Sequence, residues 1–143
     1  SGAFSGCENL VNVSIPNSVT YIGANAFNNT TYMNDERQGI IYVGNCCIGF
    51  CGTYESMEGE IAINSGTRLI ANSAFSGCRY STSVTIPKGV EYIGEYAFAG
   101  CTSLNSIEFK GTIAEWNSVT KGDAWKDGVL ATYVQCSDGR VDL

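Results

Sequence analysis

The sequence predicts a repeat solenoid, mainly β with short helical turns, carrying a β-hairpin insertion and a small C-terminal α+β cap. Three observations lead there. A block of residues recurs at a spacing of 23. Within each block, apolar residues alternate with polar ones, the period of a strand with one buried face. A unit of 23 residues cannot bury its own apolar face, so copies must stack on one another. The 143 residues suffice for one domain with a full core.

The recurrence is direct. Ala3-Phe4-Ser5-Gly6-Cys7 matches Ala74-Phe75-Ser76-Gly77-Cys78, and Ser14-Ile15-Pro16 matches Thr85-Ile86-Pro87. Val19, Tyr21-Ile22-Gly23 and Ala26-Phe27 match Val90, Tyr92-Ile93-Gly94 and Ala97-Phe98. The Ala-Phe pairs begin at 3, 26, 74 and 97. The outer intervals are 23 residues and the middle one is 48, two periods plus two residues, so one central copy is remodelled.

Each copy contributes to the same columns. Val13, Ile61, Val84 and Ile107 form the first, and Ile15, Ile63, Ile86 and Phe109 the second, two residues on. These two alternate with polar residues and define a strand, which Pro16 and Pro87 end because proline has no N–H for the ladder. Ile22, Ile70 and Ile93 form a third column, and Phe4, Phe27, Phe75 and Phe98 a fourth. The Ala-Phe-x-Gly-Cys segment reads as a helical turn closed by glycine. Cys7, Cys78 and Cys101 recur with the period, as core positions do, and are expected as buried thiols.

Residues 28–60 hold the irregular copy. Asn28 to Gln38, with Asp35, Glu36 and Arg37, reads as an exposed loop. Two β-rich runs, 39–43 and 46–50, flank Gly44-Asn45, a strong two-residue hairpin signal. The hairpin is expected to lean on the stack or project from it, beside the sheet of first strands. After Gly111 the repeat is expected to stop. Residues 112–119 place Ile113, Trp116 and Val119 on one helical face, 129–136 read as a strand, and Ser137-Asp138-Gly139 turns it into a hairpin with 140–143. The division is a solenoid over 1–111 and a cap over 112–143.

Composition narrows the chemistry. There is no histidine, which removes Ser-His-Asp and Cys-His catalysis and every His-containing metal site. Net charge is −6, and Lys and Arg total only 8, which argues against nucleic-acid binding. No apolar run approaches the ~20 residues that span a bilayer. Cys46, Cys47 and Cys51 lack Cys-x-x-Cys spacing, so zinc is not expected; an oxidising compartment would allow a Cys46–Cys51 or Cys47–Cys51 crosslink. Glu55, Glu58 and Glu60, like Asp123, Asp127 and Asp138, read as solvated surface. No catalytic residue, cofactor or metal is expected. Trp116 and Trp125 read as cap residues, with a glycan platform as the alternative.

The pattern Ala-Phe-x-Gly-Cys-x-x-Leu-x-x-Val-x-Ile-Pro-x-x-Val-x-x-Ile-Gly resembles the BspA-like leucine-rich repeat family over about residues 1–111. Asn64, Ala71 and Ser81 depart from it, standing where other copies have proline, glycine and leucine. The resemblance implies a leucine-rich-repeat-like fold and a bacterial surface or secreted protein, often an adhesin, with no shared enzymatic activity. The start at Ser1, inside a repeat, leads us to expect further repeats and a signal peptide upstream. The expected function is a cell-surface or extracellular adhesion module that binds an extended partner, a host or bacterial surface protein or a glycan, as a monomer. The alternative is a passive spacer that displays other domains. Contacts are expected on side chains that repeat along the stack: Ser14, Thr85 and Glu108 on the outward strand ladder, and Tyr21, Leu69 and Tyr92 in one column. The hairpin from Tyr42 to Phe50, which interrupts the repeat, completes the candidate surface.

Overall fold

The structure, a computed structural model, describes residues 1–34 and 37–143; Asp35 and Glu36 of the expected loop lie outside the described residues. Its strands are β1 (Gly39–Val43), β2 (Cys46–Cys51), β3 (Gly59–Ala62), β4 (Leu69–Ile70), β5 (Ser81–Ile86), β6 (Tyr92–Ile93), β7 (Ser106–Phe109), β8 (Thr120–Lys121), β9 (Tyr133–Cys136) and β10 (Gly139–Asp142). One helix, α1 (Ile113–Ser118), lies between β7 and β8. The strands form two five-stranded sheets. The first runs β10-β9-β7-β5-β3 and the second β1-β2-β4-β6-β8.

The columns become rows across these sheets. In the first sheet Ile61, Val84, Ile107 and Val134 pair in parallel register. In the second, Cys47, Ile70, Ile93 and Lys121 do the same. Between the sheets lies one core that holds Ile63, Ile86, Phe109, Leu104, Cys78 and Cys101, all buried. Burying each such aliphatic or aromatic side chain contributes about 1.5–3 kcal/mol.

A third layer, made of turns, closes the regular coils. Ser73, Phe75 and Gly77 donate their backbone N–H to the carbonyls of Glu95, Ala97 and Ala99 at 2.8, 2.8 and 2.7 Å. Tyr96, Phe98 and Gly100 donate to Asp123, Trp125 and Asp127 at 3.1, 2.8 and 2.7 Å. Ser73, Tyr96 and Ala124 each take a left-handed conformation (φ 59°, 54° and 51°), as do Gly77, Gly100 and Gly128 four residues later. The glycines fit that conformation without a steric cost.

This layer corrects two expectations. The repeat does not stop at Gly111. Residues 112–136 make one more coil, with β8 and β9 in the two sheets and Ala124–Gly128 in the turn layer. It is five residues longer from turn to turn, and α1 takes up the excess. Thr112 caps that helix in a capping box with Glu115. After this coil, β10 pairs antiparallel with β9 and lies beyond the repeating unit. Lys121 stands in the isoleucine column because its ammonium has a site there. It donates to the Trp116 and Val119 carbonyls at 2.9 and 2.8 Å and lies 4.2 Å from the Trp116 ring centre. Trp116 packs 5.2 Å from Phe109 and 5.9 Å from Trp125. Both tryptophans are buried, which removes the glycan-platform reading.

The remodelled copy is the second correction. Its Ala-Phe pair is Gly49-Phe50, 23 residues after Ala26-Phe27. Phe50 stacks on Phe75 at 6.4 Å and 4°, and Phe75 on Phe98 at 5.3 Å and 9°. The hairpin turns at Gly44-Asn45 as expected, with Val43 opposite Cys46. Its second strand, however, is a member of the second sheet. Cys46 and Cys51 end one extended strand, so at about 3.3 Å per residue Cys51 lies about 13–16 Å from Cys47 and Cys46. Disulfides need Cα atoms within about 7 Å, so neither of the crosslinks that an oxidising compartment would allow can close.

The N-terminal copy departs from the others. Residues 10–16 form no strand. They are held by the Tyr32 hydroxyl, which accepts from Val13 N at 3.1 Å and donates to the Val11 carbonyl at 3.3 Å, and by Thr31 Oγ1 donating to the Leu10 carbonyl. Phe4 stacks on Phe27 at 5.4 Å but is 37% exposed, and Cys7 is exposed. The expected core row of Ile15, Ile63, Ile86 and Phe109 therefore holds for three members; Ile15 only packs against its margin.

Two outcomes are expected. Phe75→Ala should cost about 3–5 kcal/mol in a urea melt, because it opens a cavity in the middle of the ring stack. An unchanged midpoint would contradict that packing. In native protein at neutral pH a maleimide should label Cys7 rapidly and leave Cys47, Cys78 and Cys101 unmodified until the chain unfolds. Burial pushes the Cys47 thiol up to about 12, and a hydrogen bond with Cys101, with burial behind it, raises Cys78.

Candidate interaction surface

Strand alternation turns the other half of each strand outward. On the first sheet one outward row runs Ala62, Thr85, Glu108, Gln135, Arg140, and a second starts Glu60, Ser83, Ser106. Thr85 Oγ1 donates to Glu60 Oε1 at 2.5 Å, and Lys110 Nζ lies 2.6 Å from Glu108 Oε1. Both lysine and glutamate are about half exposed, so that pair contributes at most about 1 kcal/mol. At the β9–β10 edge the Arg140 guanidinium lies 5.1 Å from the centre of the exposed Tyr133 ring. The face carries the polar side chains of Ser83, Thr85, Ser106 and Glu108, with an aromatic–cation pair at the β9–β10 edge.

Of the residues expected here, Thr85 and Glu108 lie in the row. Ser14 does not, because its segment forms no strand, and that expectation is corrected. Tyr133, Gln135 and Arg140 were not anticipated. Their signal is in the sequence: Val134-x-Cys136 alternates as Val84-x-Ile86 does, beyond the expected end of the repeat at Gly111.

The hairpin lies in the second sheet, not beside the ladder. Tyr42 turns its hydroxyl to accept from Asn64 N at 2.9 Å, and burial, ahead of that hydrogen bond, leaves its phenol above the ordinary range. Phe50 is a member of the phenylalanine stack, with Tyr54 5.8 Å away, rather than a projecting contact. Of the expected column Tyr21, Leu69 and Tyr92, Leu69 and Tyr92 are register partners on β4 and β6, but Tyr21 lies in no strand and Leu69 is closed to contact. Leu69 is fully buried although its neighbour Ile70 takes the inward position. The segment 19–22 covers it. The Val19 carbonyl accepts from Arg68 Nη2 at 2.8 Å, the Ile22 carbonyl from Asn72 N at 2.8 Å, and the Tyr21 ring sits 6.3 Å from Tyr92. Tyr21 and Tyr92 thus meet directly, in a cleft on the second sheet.

Among the described residues, no group of three or more Cys, Asp or Glu side chains could hold a metal ion, and no helix is long and apolar enough to cross a membrane. A model described as the BspA type leucine rich repeat region (6 copies) matches residues 1–58 and 48–120. The chain belongs to this family. No curated protein and no solved structure matches it.

The BspA type match spans the hairpin-bearing copy and runs beyond Gly111 through α1 and into β8, in line with the register of the sheets. The family pattern accounts for the inward columns. The outward rows lie outside those columns. Those rows take little part in folding, so Glu108→Gln should change stability by no more than about 0.5 kcal/mol in the same urea melt. A loss of several kcal/mol would mean that the outward row supports the fold and is not available for contact.

Proposed function

We propose that this chain is a non-catalytic interaction module, a stretch of a repeat solenoid from a cell-surface or secreted protein, that binds an extended partner along the outward face of its first sheet. The observation that carries the reading is the row Ala62, Thr85, Glu108, Gln135, Arg140. Neighbouring strands lie ~4.8 Å apart, so five strands present side chains over about 19 Å in one line. A row of that length suits an extended peptide or glycan chain better than a compact small molecule, which needs a concave pocket. The Tyr133–Arg140 pair supplies an anchor of the kind that dominates protein interfaces. Net charge of −6 favours neutral or basic partners. Family membership supports the surface setting, and the lack of histidine supports a role without catalysis.

The test is a screen of the purified chain on glycan and matrix-protein arrays, followed by affinity measurements on any hit. Thr85→Arg puts a bulky cation within the row, beside Glu108, and Tyr133→Ala removes the anchor; each should weaken binding tenfold or more. A ligand whose affinity is indifferent to both substitutions would place the site elsewhere. Absence of any ligand on the arrays would favour the spacer.

A further inference from the structure

The cleft on the second sheet is separate from the outward row of the first. Its volume is ≈ 380 Å³, and its walls are Thr20, Tyr21, Glu91, Tyr92, Ser118 and Thr120. That is at the small end of the range for ligand sites, enough for one side chain and its water. Three anchors build it: Arg68 to the Val19 carbonyl, Asn72 N to the Ile22 carbonyl, and the Tyr92 hydroxyl bonded to Asn72 Oδ1 at 3.2 Å. The two tyrosine rings stand 58° apart, and Tyr21 is 60% exposed.

We propose that this cleft binds a cationic side chain, lysine or arginine, presented by a partner polypeptide. Two aromatic rings attract a cation through their negative faces. The surrounding charge has the matching sign. Glu91 lines the cleft with its side chain 64% exposed; one carboxylate oxygen is paired with Arg68 at 3.0 Å, which offsets part of its charge. Glu95 is joined to Tyr92 through Asn72, whose Nδ2 lies 3.5 Å from Glu95 Oε2. After burial, the charges of Glu95 and Asp123 are among the causes that raise the Tyr92 phenol. The nearby cations are otherwise engaged. Arg68 holds the Val19 carbonyl and Glu91 Oε2, and Lys121 turns inward to the carbonyls at the end of α1. A neutral sugar would use the rings and hydroxyls but not the carboxylates, and an anionic ligand would be repelled by them.

The experiment is an NMR titration of ring-labelled tyrosines in the intact chain. The probes are N-acetyl-lysine amide, N-acetyl-arginine amide, tetramethylammonium, methyl glucoside and N-acetyl-glutamate amide. The three cations should shift Tyr21 and Tyr92 saturably, and the sugar and the anion should not. Tyr21→Ala and Glu91→Gln should each weaken cation binding at least threefold, Tyr21→Phe should retain it, and Thr85→Arg on the other sheet should leave it unchanged. Because Tyr21→Phe keeps the ring, loss of binding in Tyr21→Ala alone reports the aromatic wall. Shifts produced by methyl glucoside but not by the cations, or equal cation affinity in Tyr21→Ala, would overturn the proposal.

Discussion

The contact on which the rest of the structure depends is the backbone hydrogen bond between successive turns, Phe75 N to the Ala97 carbonyl and Phe98 N to the Trp125 carbonyl. It holds neighbouring coils at strand spacing on the side of the molecule where no sheet exists to do so. With that spacing fixed, the phenylalanine rings fall 5.3 Å apart, within the range of favourable ring contacts. The same closeness dictates glycine at two places. A Cβ on Gly94 would collide with the backbone of Ala71 and Asn72, and one on Gly122 with Glu95. Ala71 escapes this restriction because the coil before it is strand β2, which runs on past Cys47 where other coils turn.

Much of this was legible in the sequence, because the inward columns are chemically monotonous. Ile61, Val84 and Ile107, or Phe75 and Phe98, announce the period and the core together. Legibility failed where a column changed its chemistry while keeping its geometry. Gly49-Phe50 hid a fifth member of the Ala-Phe series because glycine stood for alanine inside a convincing hairpin. Lys121 and Trp125 hid the last coil because a cation and an indole replaced small or aliphatic residues, each with a partner that only the fold brings near. Spacing would have shown it: Gly122 and Gly128 are separated as Gly94 and Gly100 are.

The candidate surfaces were harder to read, for a different reason. Thr85 and Glu108 follow from strand alternation, which is local. The burial of Leu69 and the meeting of Tyr21 with Tyr92 do not, since they depend on where residues 19–22 cross the outside of the second sheet. Arg68 makes that crossing possible. It is a nearly buried cation whose guanidinium reaches a carbonyl 49 positions earlier in the chain, and no periodic pattern encodes such a contact.

The turn layer has a direction. At three junctions the linking amides, Gly2, Phe4 and Gly6, then Ser73, Phe75 and Gly77, then Tyr96, Phe98 and Gly100, point their hydrogens toward the later coil. The peptide dipoles at these junctions therefore share one direction, as they do in a helix. The first coil presents carbonyl oxygens at its outer side, and the last presents the N–H groups of Ala124, Lys126 and Gly128, equivalent by position to those donors. The last coil also carries the carboxylates of Asp123 and Asp127, the sign of charge that such a positive pole favours. The molecule thus has an electrical head and tail, and any further coil of this kind would join it in one orientation only.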